Sequence, residues 1–299
     1  MPSMDKIAWI AADWGTSRLR VWAMDENGTA LAHRVSDKGM GALGPDAFEG
    51  ALLEIVEDWL GDSGDLPIIA CGMVGARQGW VEAAYAPCPG PPLAALGLTR
   101  APAQDTRLDM RIVPGLAQPS PADVMRGEET QVAGLLAHEP DFAGILCLPG
   151  THTKWVHIAQ GRVERFTSCM TGEVFAVLSD HSILRHSVEG AEMDHAAFTA
   201  ALDEQGPLLP RLFSLRAESL LHGMHPSRTR ARLSALLIGA EVDAMMPVLG
   251  DLALLGDAGL SKLYAIALAR QGIAARILDA DAMTLAGLRA AYTMEKDPS

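Results

Sequence analysis

Hydrophobic and polar positions fall into two registers along this chain. Residues 7–12 form an apolar run that ends at Asp13, passes Trp14, Gly15, Thr16 and Ser17, and resumes with Leu19, Val21 and Ala23 alternating with Arg18, Arg20 and Trp22. That pattern predicts a buried strand, a tight polar turn and a second strand. Asn27-Gly28 marks the next turn, and 29–35 reads as a returning strand. A glycine-rich loop at 39–44 leads into a helix over 46–59, where Asp46 and Glu49 have capping-box spacing and Phe48, Leu52, Ile55, Val56 and Trp59 share one face. Residues 66–71 and 110–113 read as short strands. Ser120-Pro-Ala-Asp123 has capping-box spacing with proline at the first helical position, and a helix continues over 129–138.

The pattern then repeats. ILCLPGTHTKWVHI at 145–158 lies over IAADWGTSRLRVWA at 10–23, with Gly150-Thr151 on Gly15-Thr16, and glycine turns follow at Gly28 and Gly161. Helices are predicted over 195–205, 208–223 and 228–246, then a strand at 252–255, a helix at 260–271, a strand at 275–278 and a last helix at 280–292. Two similar α/β domains follow, 1–138 with the first Gly-Thr hairpin and 139–299 with the second.

A turn with a carboxylate, a glycine and two hydroxyls offers backbone N–H groups to phosphate and an oxygen to the accompanying metal. An ordinary exposed turn is the alternative for 13–17 taken alone. Two such hairpins suit a polyphosphate: Gly15 and Gly150 permit close approach, and Thr16, Ser17, Thr151 and Thr153 supply hydroxyl donors. Lys154 meets a phosphate or, by strand alternation, faces solvent. A formal charge of −13 argues against nucleic acid or an anionic membrane as partner. Lysine is scarce among the 24 basic residues, so Lys154 inside a motif is worth noting. The four cysteines form no CxxC, which favours reduced thiols. With no secretory leader pattern and no apolar run near about 18 residues, a soluble cytoplasmic protein is expected.

DWGTS and LPGTHTKW resemble the two phosphate motifs of the superfamily that contains actin, the heat-shock ATPases, hexokinase and the acetate and sugar kinases. CGMVGARQGW, DVMRGEETQ, LPGTHTKWV, MTGEVFAVLSDHSIL and LLIGAEV together resemble the 2-dehydro-3-deoxygalactonokinase family, over nearly the whole chain. The resemblance implies two similar actin-like (ribonuclease H-like) domains, each a mixed sheet flanked by helices, with the nucleotide in the interdomain cleft. It implies ATP and Mg²⁺, a small anionic sugar-acid substrate, and phosphorylation of the terminal hydroxyl of 2-dehydro-3-deoxy-D-galactonate in D-galactonate catabolism. Asp13 would serve the metal. Related sugar kinases place their catalytic Asp in a Gly-Asp-Gln-Gln stretch, and Glu128 of Gly127-Glu128-Glu129-Thr130-Gln131 takes that position. Glutamate is one methylene longer, so Asp123 and Glu129 stay as alternatives. Arg77 is the leading partner for a substrate carboxylate, with Arg126 competing and Gln78, Trp80 and Thr171 as further substrate contacts. Gly256 and Gly259 mark the adenosine loop. A kinase of another sugar acid or polyol, and a non-kinase ATPase, remain as readings, and oligomeric state is open.

Overall fold

The run that ends at Asp13 becomes β1 (Trp9–Trp14), a central strand covered on both faces. Period-2 alternation sends Ile10, Ala12 and Trp14 into one core and Trp9 and Ala11 into another. In this computed structural model residues 6–61, 65–93, 97–190, 192–204, 206–248 and 250–296 are described. The chain divides into two units, Met1–Phe142 with Ile158–Arg165 and Ala280–Ser299, and Ala143–His157 with Phe166–Asp279.

In the first half, β1 is followed by β2 (Leu19–Met24), β3 (Ala30–Ser36), α1 (Phe48–Val56), β4 (Leu66–Gly72), β5 (Tyr85–Pro87), β6 (Thr99–Arg100), β7 (Leu108–Ile112), β8 (Gly115–Pro119), β9 (Ala122–Met125) and α2 (Glu128–His138). The second half holds β10 (Gly144–Leu148), β11 (Thr153–Ala159), β12 (Arg162–Cys169), α3 (Thr171–Asp180), α4 (Arg185–Val188), α5 (His195–Ala201), α6 (Leu208–His222), α7 (Pro226–Ala244), β13 (Asp251–Leu255), α8 (Ala258–Arg270), β14 (Arg276–Leu278) and α9 (Ala280–Lys296). The strand orders are β3-β2-β1-β4-β7-β6 and β12-β11-β10-β13-β14. Both sheets place a three-strand meander beside parallel strands, β4 and β7 in one and β13 and β14 in the other. The internal repeat is therefore a repeat of topology, and the mixed sheets flanked by helices are those of the actin-like fold.

The expected division at 138/139 differs from the observed one, because the last helix returns to the first unit. There α9 packs along α2 so closely that a Cβ at Gly134 would lie 1.9 Å from the Met283 carbonyl oxygen, and one at Gly287 would lie 1.8 Å from that of Thr130. Two glycines let the helix backbones touch. Beyond this contact Tyr292 stacks on Trp9 with ring centres 4.4 Å apart. Hydrophobic burial at the end of the chain thus outweighs sequence proximity.

Both predicted capping boxes fail. Ser120 to Asp123 form a hairpin turn and the start of β9, with Asp123 opposite Gln118, because β8 offers this segment a partner strand. Helix α1 begins after Ala47 without a side-chain cap, and the Glu49 carboxylate instead accepts the Gln104 and Asp105 N–H groups at 2.8 Å each. Among the described residues no helix is long and apolar enough to cross a membrane.

Candidate active site

In the first unit, Asp13 lies on the Trp9–Ala11 face of β1 at the strand's carboxyl end. Parallel pairing sets Asp13 beside Cys71 and Trp14 beside Gly72 at the end of β4. Carboxyl ends of parallel strands are where α/β sheets bind ligands. Trp14 anchors the turn from below. Its ring packs against Phe48 and Trp80, and its Nε1 donates to the Lys38 carbonyl at 2.9 Å. The glycine-rich loop holds the turn from outside, with Met40 N–H donating to Gly15 and Gly41 N–H to Thr16. Thr16 and Ser17 stay exposed at its tip.

A cavity of about 180 Å³ opens at this strand end, lined by Asp13, Gly15, Cys71, Gly72, Met73, Arg126, Gly127, Glu128, Gln131 and Thr284. Two glycines shape it. Gly127 has φ 104°, open to glycine without strain, and a Cβ there would come within 3.2 Å of Gly72 Cα, so the start of α2 sits against the end of β4. Gly72 leaves space before Asp13: a Cβ would lie 3.4 Å from Asp13 Oδ1. The other oxygen, Oδ2, accepts from Arg20 Nε at 3.1 Å and from a second Arg20 nitrogen, and Arg20 also pairs with Asp281 of α9. One carboxylate oxygen is fixed by Arg20, while the other, Oδ1, accepts the Cys71 thiol at 3.8 Å. Together with Glu128 in the same cavity, this is the hard oxygen donor set that suits Mg²⁺. Burial, then the Asp13 charge, pushes the Cys71 thiol well above its usual range, so it remains protonated.

The two adjacent glutamates of α2 differ. Glu128 lines the cavity, half-buried, and its Oε2 accepts the Arg126 N–H at 3.0 Å. Glu129 is fully buried and takes the Gly127 N–H at 2.7 Å and the Thr130 hydroxyl at 3.0 Å. Burial, followed by the neighbouring Glu128 charge, pushes its pKa up to about 8. Asp123 lies on β9 and does not line the cavity.

Arg126 does line it. Its side chain is 8% exposed, one Nη donates to the Ala83 carbonyl at 2.7 Å, and the guanidinium lies 4.3 Å from the centre of the Tyr85 ring. Among the described residues its Nε and the other Nη are buried without a hydrogen-bond partner. Arg77 and Gln78 are exposed on the loop after β4 and lie outside the cavity lining, and Trp80 packs into the core beside Trp14. Sequence reasoning missed Arg20, Gln131 and Thr284. Gln131 was legible in principle, three residues after Glu128 on one helix face. Arg20 and Thr284 carried no such signal.

The second unit has its own cavity of about 290 Å³, lined by Gly150 and Thr151 of the hairpin turn, Thr171, Gly172 and Phe175 of α3, and Met193. Ser234, Leu237 and Ile238 of α7 and Leu260, Leu263 and Tyr264 of α8 complete it. The turn is braced by α3: Glu173 N–H donates to the Thr151 carbonyl at 2.9 Å, and a Cβ at Gly172 would lie 2.3 Å from the Gly150 carbonyl oxygen. Thr153 turns inward, fully buried, to Tyr264 at 2.9 Å. Lys154 is 5% exposed, so the solvent-facing alternative does not hold. Gly256 backs onto the Pro149 carbonyl oxygen, and Gly259 receives the Asp257 cap of α8; neither lines the cavity.

A family model described as 2-keto-3-deoxy-galactonokinase matches residues 13–291. The chain belongs to that family. A Rhizobium meliloti (strain 1021) protein named as a probable 2-dehydro-3-deoxygalactonokinase is 43% identical over 295 residues, 95% of this chain and 96% of that one. The Escherichia coli (strain K12) 2-dehydro-3-deoxygalactonokinase is 32% identical over 290 residues, 94% of this chain and 96% of that one. A crystal structure of a protein of the same description from Sinorhizobium meliloti superimposes with a TM-score of 0.87 at 41% identity, covering 97% of this chain and all of that one. The activator of 2-hydroxyisocaproyl-CoA dehydratase from Clostridium difficile, solved with ADPNP, gives 0.53 at 12% identity over 96% of this chain and 95% of that one, a likeness of fold alone. This 2-keto-3-deoxy-galactonokinase-family chain is thus a carbohydrate kinase on an actin-like scaffold.

Proposed function

We propose that the enzyme transfers the γ-phosphoryl group of ATP to the terminal hydroxyl of 2-dehydro-3-deoxy-D-galactonate, with Arg126 in place of Arg77 as the partner of the substrate carboxylate. What supports this is that Arg126 lines the cavity that also holds Asp13 and Glu128, and that its guanidinium keeps two buried nitrogens without a hydrogen-bond partner among the described residues. A planar fork of N–H donors matches a carboxylate. Gln131 and Thr284, bonded to each other at 3.1 Å, add polar contacts for sugar hydroxyls.

Glu128 accepts the proton of the attacking hydroxyl as its oxygen bonds to the γ-phosphorus and the bond to the β-γ bridging oxygen breaks, leaving ADP. Glu129 is unsuited to that task, because it is enclosed by its own helix turn and holds its proton at neutral pH. Asp13 would hold Mg²⁺ through its waters, oriented by Arg20. When bound with ATP, the metal supplies charge neutralisation on the phosphates. In the second unit, Phe175, Leu237, Ile238, Leu260 and Leu263 wall a slot suited to adenosine, and Gly150 and Thr151 stand at its phosphate end. The four free thiols suit the reducing cytoplasm, where an aldolase acting on the phosphorylated product would complete the breakdown.

A coupled ADP assay over a panel of 2-keto-3-deoxy acids tests the reading. ADP release should require an acceptor, with the galactonate-derived acid preferred, and Glu128→Gln should lower kcat by about 10²–10⁴-fold. Acceptor-independent ADP release, or near-normal kcat in that variant, would overturn it.

A further inference from the structure

On α7, Ser234, Leu237, Ile238 and Glu241 recur at i, i+3, i+4 and i+7, one face of the helix. The first three line the second unit's cavity. The fourth lies behind its wall and is 5% exposed. Glu241 Oε1 accepts Trp155 Nε1–H at 2.7 Å, Oε2 accepts the Tyr264 hydroxyl at 2.7 Å, and the Thr171 hydroxyl is a third donor. Because Tyr264 gives its only hydroxyl proton to Glu241, the proton between Tyr264 and Thr153 comes from Thr153. One buried carboxylate therefore ties together β11 of the second hairpin, the α8 wall of the cavity and the first residue of α3. That α3 turn braces Gly150 and Thr151.

We infer that Glu241 is a positioning residue for nucleotide, holding the second Gly-Thr turn and the Tyr264 wall in register through three buried donors. Burial raises its pKa while the three donors oppose that rise, as expected for a carboxylate kept for its acceptors. Glutamine has the same shape but presents an NH₂ group where one donor needs an acceptor. The inference rests on the reading of this cavity as the nucleotide half-site.

Isothermal titration with ADP, alongside separate KM values for ATP and sugar acid, tests both levels. Glu241→Gln should weaken ADP about tenfold and raise the ATP KM equally, the effect of one buried donor left unpaired, with kcat and the sugar-acid KM within about twofold. Thr171→Val removes one donor, so the double variant should lose less than the product of the single effects. Tyr264→Phe, which keeps the ring, should weaken ADP in the same direction and carries the test if Glu241→Gln does not fold. Ile238→Trp fills the cavity and serves as the control. If ADP affinity survives that change, the nucleotide reading fails. If Ile238→Trp abolishes binding while the Glu241 and Tyr264 variants bind ADP normally, or weaken both substrates alike, the positioning role is overturned.

Discussion

Replacing Arg126 by methionine should separate stability from catalysis. In the unliganded protein the side chain makes one hydrogen bond, to the Ala83 carbonyl, and lies over Tyr85. Losing these costs about 1.5–3 kcal/mol for the charge-assisted bond and about 0.5–2 for the cation–π contact. Against this, Nε and one Nη are buried without partners, at a desolvation cost of about 1–3 kcal/mol each that methionine removes. The terms nearly cancel, so urea denaturation should find stability changed by less than about 2 kcal/mol. Substrate binding has no such offset: a buried charge pair with a carboxylate lost from one side costs about 3 kcal/mol, or roughly 150-fold in kcat/KM for the sugar acid. A neutral polyol analogue without the carboxylate should be phosphorylated equally by both enzymes. Sugar-acid kcat/KM within about threefold of wild type, or a loss of more than about 4 kcal/mol of stability with unchanged KM, would refute Arg126 as the anion receptor.

Glu129 holds its proton up to about pH 8 in the native state and loses it near 4.5 when unfolded. The native state therefore binds the extra proton between those values, and this group's contribution to stability falls as pH rises from about 4.5 to about 8 and then levels off. Glu129→Gln should flatten that slope in thermal melts and gain at most about 5 kcal/mol over wild type at pH 9; identical slopes would refute the assignment. Gly287→Ala drives a methyl into the Thr130 backbone carbonyl, which cannot yield as a side chain would, so a loss of about 3 kcal/mol or more is expected by urea titration. Asp281→Asn removes the charge that tethers Arg20 from α9. Raising the Mg²⁺ concentration for half-maximal activity by a few-fold, with the sugar-acid KM unchanged, is the expected result, and an unaltered Mg²⁺ requirement would count against Arg20 as the residue orienting Asp13.

What the sequence determined by itself was local and periodic. Alternation at 7–25 and 145–158 and the two Gly-Thr turns led to the two meanders, since turn chemistry and strand period act over a few residues. The GEETQ stretch placed two glutamates at a helix start for the same reason. Tertiary structure decided which of them faces the cavity, because one step along a helix turns a side chain by about 100° and only packing defines inside. It buried Arg126 in the cavity lining and left Arg77 exposed outside it, since burial of a guanidinium depends on Tyr85 and Ala83 rather than on its neighbours in sequence. It made strands or bare helix starts of two apparent capping boxes, because a partner strand at β8 and acceptor-hungry N–H groups at 104 and 105 outweigh a weak local preference. And it returned 280–296 to the first unit, supplying Asp281 and Thr284 to a site whose motif lies more than 150 residues upstream. That placement rests on apolar burial and glycine contacts between α2 and α9, which depend on distance in space and leave no periodic trace in the chain.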